Sequence, residues 1–104
     1  MFEATGSVLH AAIDAGTGDT LVAAVTGKRI RVISYVLGLS AAGTYQLQSD
    51  TTDITGAVGV GANAPIAAPY NPAGHCETAK AEALKITITG GGNAVGHLTY
   101  QLVN

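Results

Sequence analysis

The side chains best suited to chemistry in this sequence are Cys76 and its neighbour His75, with further histidines at positions 10 and 97. A thiolate–imidazole dyad needs both groups on one side of the backbone. Neighbours on an extended chain point to opposite faces, so Cys76 and His75 cannot activate one another. Cys76 therefore reads as a buried, inert thiol. His10, His75 and His97 show no metal-ligand spacing, and no serine sits in a G-x-S-x-G elbow. Neither a catalytic residue nor a metal or cofactor ligand emerges from these positions.

Two glycine-bearing segments invite a ligand reading. Gly59-Val60-Gly61-Ala62-Asn63-Ala64 satisfies the G-x-G-x-x-A form of the dinucleotide fingerprint. That mechanism needs a helix whose N-terminus meets the pyrophosphate, and Pro65, Pro69 and Pro72 leave no room for one. Asp14-Ala15-Gly16-Thr17-Gly18-Asp19 offers two carboxylates but lacks the alternating ligands and terminal Glu of an EF-hand, so a turn explains it. Asp50 and Asp53 likewise read as turn residues.

The run Lys28-Arg29-Ile30-Arg31 holds three of the five Lys and Arg residues. It is either a solvated strand start or a patch that docks on an acidic surface of a larger assembly. The charged fraction is 12% and the formal net charge −2, which excludes the strongly basic footprint of a nucleic-acid binder. Low charge with ample apolar content also argues for a globular chain over a disordered one. No apolar run approaches the length of a membrane-spanning helix, and the first residues lack the pattern of a secretory signal. A single cysteine excludes an internal disulfide and fits synthesis in a reducing cytoplasm.

Ala, Gly and Thr make up 44 of the 104 residues, and Leu, Ile, Val and Phe only 25. So few core-forming side chains in one domain of this length predict an oligomer. Helix signals are scarce, with at most a turn or loop over Glu77 to Ala83. Period-two alternation recurs. Leu84, Ile86 and Ile88 alternate with Lys85, Thr87 and Thr89. After Gly90-Gly91-Gly92-Asn93, Leu98, Tyr100 and Leu102 alternate with His97, Thr99 and Gln101, which predicts antiparallel neighbours joined by a glycine loop. Tyr45 and Leu47 alternate with Thr44, Gln46 and Gln48 ahead of a turn over Ser49 to Asp53 and a strand from near Ile54. Residues 20 to 25 and roughly 3 to 13 are weaker strands, with residues 1 to 13 alternatively an N-terminal arm. The prolines confine residues 62 to 74 to loop or edge structure.

The informative strand runs from Lys28 to Leu39. Beyond residue 32 neither of its faces is polar, so it is either central and covered twice or placed at a subunit contact. Seven or eight short strands without parallel crossovers predict an all-β chain, a single antiparallel β-sandwich of jelly-roll type.

Three segments carry a family resemblance: Lys28-Arg29-Ile30-Arg31-Val32-Ile33-Ser34-Tyr35-Val36-Leu37, Ala67-Ala68-Pro69-Tyr70-Asn71-Pro72-Ala73-Gly74, and Gly96-His97-Leu98-Thr99-Tyr100. Together they resemble the small Ala/Gly/Thr-rich virion proteins of tailed bacteriophages. The resemblance implies a jelly roll without catalytic residues that self-associates, commonly as a trimer. It would decorate the capsid exterior as a head cement protein after synthesis in the host cytoplasm. Its expected partners are itself and the major capsid protein, with no nucleic acid, membrane or cofactor. Combined with the strand pattern, Ile33, Tyr35, Val36, Leu37 and Leu39 become the self-association candidates, and Lys28, Arg29 and Arg31 the capsid-docking candidates. The alternatives are a tail tip or fibre module and a free-standing glycan-binding or cupin-like jelly roll. The absence of Trp and the single Phe weaken a sugar site.

Overall fold

The computed structural model describes residues 8–90 and 92–104. The part of the first strand or arm expected over residues 1–7 lies outside the described residues. The strands are β1 (Leu9–Ala15), β2 (Thr20–Val22), β3 (Arg29–Leu39), β4 (Gly43–Ser49), β5 (Thr52–Asp53), β6 (Val58–Val60), β7 (Ile66–Ala68), β8 (Cys76–Glu77), β9 (Leu84–Thr89) and β10 (Ala94–Val103). β5 and β6 both pair with β4, and β7 and β8 both pair with β3, so each couple is one interrupted edge strand. Counted that way, the described residues form eight strands, in line with expectation.

The strands pair antiparallel, in the sheets β1-β10-β3-β7/β8 and β2-β9-β4-β5/β6, with one isolated parallel bridge between Leu39 and Ala62. First strand lies on last, second on next to last, and so inward to the β4–β5/β6 hairpin. A long hairpin rolled on itself in this way is a jelly roll. The core fills the space between the sheets, with Ile13, Val32, Leu37, Leu39 and Leu98 from one side and Tyr45, Leu47, Leu84 and Ile86 from the other.

β9 shows why its residues form a strand: Leu84, Ile86 and Ile88 are buried while Lys85, Thr87 and Thr89 are not. Its expected partner is wrong, however. β9 pairs with β2 and β4 in one sheet, and β10 with β1 and β3 in the other, so the glycine loop crosses between sheets. Alternation marks an inward face, and both sheets face the same core, so it does not choose the partner. The crossing needs glycine, because Gly90 and Gly92 sit at φ +75° and +68°. It is pinned by the Ser40 hydroxyl, which accepts from the Asn93 amide at 2.9 Å.

β3 is central, lying between β10 and the interrupted edge. Its apolar character on both faces has a local cause. Thr99 pairs with Ser34 and Tyr100 with Val32, which leaves Ile33 as an extra, bulged residue. Before the bulge the even positions Ile30 and Val32 join the core; after it the odd positions Tyr35, Leu37 and Leu39 do. Residues 78–83 form a loop, as expected, while Glu77 ahead of them belongs to β8; the loop is tied to the β4–β5 turn. There Ser49 Oγ donates to Glu82 at 2.5 Å and accepts from the Ala79 amide, and Asp50 Oδ1 accepts from the Ala83 amide.

Candidate functional surface

The bulge decides what the outer face of the β1-β10-β3-β7/β8 sheet presents. Arg29 and Arg31 occupy outward positions before it, and Ser34, Val36 and Gly38 outward positions after it. The cationic run and the remaining apolar positions of β3 therefore share one face. Along that face, Ala12, His97, Val36 and Ala67 form one cross-strand row, and Asp14, Val95 and Gly38 another. Ala12, Val36, Ala67, Val95 and Gly38 make these two rows mostly small and apolar, with His97 and Asp14 their polar members. A shallow groove runs between Val36, Gly38, Pro65, Val95 and Gly96.

Gly96 is there by necessity. Its φ is +147°, and a Cβ would fall 1.9 Å from the Val36 carbonyl oxygen, so only glycine lets β10 lie this close to β3. A lone glycine inside an alternating strand is a sequence sign of such close approach.

The segment between β7 and β8 hooks onto the bulge. The Asn71 amide donates to the Ile33 carbonyl at 2.8 Å and the His75 amide to the Val32 carbonyl at 2.7 Å. Asn71 Oδ1 accepts from the Ala73 amide, and His75 Nε2 lies 2.7 Å from the Pro69 carbonyl. Tyr70 is left 66% exposed, the most exposed large hydrophobic side chain among the described residues. The prolines thus hold an edge strand open, as their positions predicted.

Of the self-association candidates, Ile33, Leu37 and Leu39 are buried within the chain, the latter two in the inter-sheet core. Tyr35 packs against the same core with its hydroxyl 2.9 Å from that of Tyr45. Ile33, Leu37 and Leu39 are thus buried without a second copy and Tyr35 is half-buried, which places them on the core side of the two alternatives for this strand; Val36 faces outward. Of the docking candidates, Arg31 is committed to Glu77, with Nε 2.6 Å from Oε2. Lys28 Nζ donates to Asn104 Oδ1 at 2.6 Å, and Arg29 has no ion-pair partner among the described residues. Glu77 was not foreseen as a partner, since 46 residues separate it from Arg31.

The remaining candidates are structural. Asp19 Oδ2 accepts from the Gly16 amide, closing the turn ahead of β2, and Asp53 Oδ1 accepts from Gln48 Nε2. No group of three or more His, Cys, Asp or Glu among the described residues could hold a metal ion. Burial, with a smaller push from Glu77, raises the Cys76 thiol to about 11, far from a thiolate nucleophile. No family model, curated protein or solved structure matches the chain.

Proposed function

We propose that this chain is a structural protein of a tailed-phage virion, a head decoration protein that associates as a trimer and braces the shell by bridging neighbouring subunits of the major capsid protein. One observation carries the proposal. The three segments that bear the resemblance are remote in sequence, yet they pair as β10, β3 and β7 with the hooked loop and turn one small-residue face outward. A face of small side chains with Arg29 and Arg31 at one end suits contact with a protein surface carrying acidic groups better than capture of a small molecule. The jelly-roll fold is compatible with this role and does not select it, because lectins and cupins share it.

The test is compositional. Purified particles separated into heads and tails and quantified by mass spectrometry should carry the chain on heads, at hundreds of copies. Absence from heads overturns the decoration role, and a few to tens of copies on tails assigns it to a tail module. Sedimentation at micromolar concentration should give trimers; monomer alone overturns the trimer.

A further inference from the structure

Open sheets end in strands with unpaired backbone groups, and folded proteins usually blunt them with prolines, bulges or shortness. Among the described residues, three of the four sheet edges are blunted. The β7/β8 edge is broken by the loop holding Pro69 and Pro72, the β5/β6 edge is interrupted over residues 54–57, and β2 is three residues long with a register shift. β1 is the exception. Its seven residues, Leu-His-Ala-Ala-Ile-Asp-Ala, contain no proline, lysine or glycine, its register with β10 is unbroken, and no strand among the described residues pairs with its other side. Val8 and Leu9, two of the five exposed large hydrophobic side chains among the described residues, lie at its start.

The order of side chains along β1 says which occupant fits. Two copies of the strand laid antiparallel about a two-fold through Ala12 put Ala12 on Ala12, Ala11 on Ile13, Leu9 on Ala15 and His10 on Asp14. His10, Ala12 and Asp14 are the outward, exposed positions of the strand. Each imidazole would then face the other copy's carboxylate on the same side of the sheet, twice by symmetry, with only alanine methyls on the axis between them. A directly opposed pair complementary in charge and hydrogen bonding is a favourable cross-strand contact, and self-complementarity of one patch is what a two-fold interface requires.

We propose that β1 is a self-complementary docking edge on which a second copy of this chain adds its own β1, joining two sheets into one through reciprocal His10–Asp14 contacts. The contact does not rest on the virion assignment or on three-fold association. It doubles whatever the chain otherwise forms, giving dimers from monomers or hexamers from trimers.

The test is a charge swap read by sedimentation and native mass spectrometry at micromolar concentration. Wild-type protein should populate even-numbered assemblies. His10→Asp and Asp14→His each place like groups opposite one another and should raise the dissociation constant of the doubling step on the order of tenfold. The double variant His10→Asp/Asp14→His restores opposed partners and should recover wild-type association. That recovery separates the pairing from any effect on folding. Wild-type protein without even-numbered species, single variants that associate normally, or a double variant as weak as the singles each overturn the proposal. Protection of β1 amides from hydrogen exchange that appears only when phage heads are added assigns the edge to a shell protein and overturns it too, while leaving the decoration role standing.

Discussion

The phenol oxygens of Tyr35 and Tyr45 lie 2.9 Å apart across the gap between the two sheets, with the rings edge to face at a centroid distance of 6.4 Å. Tyr45 is 1% exposed, so Tyr35 supplies the hydrogen bond that water cannot. Burial first, and the bond to Tyr35 second, push the Tyr45 phenol well above its ordinary range. A contact between β3 and β4 thus locks the two layers of the jelly roll together at one polar point inside an apolar core.

Removing one hydroxyl of this pair should cost more than removing both. Tyr35→Phe leaves the buried Tyr45 hydroxyl unpaired and should destabilise by about 1–3 kcal/mol. Tyr35→Phe/Tyr45→Phe leaves no orphan and should lie closer to wild type than Tyr35→Phe alone. Chemical denaturation of the four proteins measures the cycle; a double variant less stable than Tyr35→Phe would contradict it.

Stability should fall as the solution becomes alkaline. The Cys76 thiol titrates at 9.0 when unperturbed and is pushed up to about 11 in the folded chain, so folding binds its proton more tightly. The resulting stabilisation is complete below pH 9.0 and is lost as pH rises from there to about 11. Tyr45, raised in the same sense, extends the decline upward. Cys76→Ala should flatten the first part of the fall in a pH series of melting temperatures, and the wild-type thiol should alkylate slowly in the native state at neutral pH.

Gly96→Ala should destabilise by about 2–4 kcal/mol, since it combines an unfavourable backbone angle with overlap against the Val36 carbonyl. Gly59→Ala serves as the control: φ is not positive there and no atom lies within 4 Å of the added methyl. Thermal melts that shift equally for the two would remove the close approach of β10 to β3 as the cause.

Val36 and Leu37 are adjacent in β3 and should respond oppositely to a carboxylate. Leu37→Asp puts a charge into the inter-sheet core and should prevent folding. Val36→Asp projects from the outer face and should keep a melting temperature within a few degrees of wild type, while weakening trimer formation if that face is the contact. A folded Val36→Asp protein that still trimerises moves the trimer contact elsewhere.

Head attachment, if the cationic run docks on the shell, should depend chiefly on Arg29, the member with neither an ion-pair nor a side-chain hydrogen-bond partner among the described residues. Arg29→Glu should lower occupancy on heads at low salt. Arg31→Glu/Glu77→Arg, which keeps an ion pair between β3 and β8, should change occupancy less. Unchanged binding by Arg29→Glu returns the run to a solvated strand start.

Much of the fold was legible because its causes are local. Alternation at Tyr45 and Leu47, or at Leu84, Ile86 and Ile88, needs only neighbours in sequence to mark an inner face. Turn chemistry at Asp19 and Asp50, and the prolines between residues 65 and 72, act within a few residues of themselves; Asp53, expected in the turn, instead lies in β5, paired with Gln48 of β4. The candidate surface was less legible. The long strand lies where it was expected, but three of its five candidate side chains proved buried within the chain and a fourth tied to Tyr45.

What the sequence determined by itself was an all-β sandwich of short strands with a long one apolar on both faces. Tertiary structure alone decided that β9 and β10 lie in opposite sheets, that Arg31 meets Glu77, and that Tyr35 reaches Tyr45. It also decided that an extra residue at Ile33 switches which side of β3 faces inward. The physical reason is common to all of them. Alternation records that a strand has a buried side, whereas partner, register and bulge depend on how distant segments share one core, and a pattern of neighbours carries no term for that.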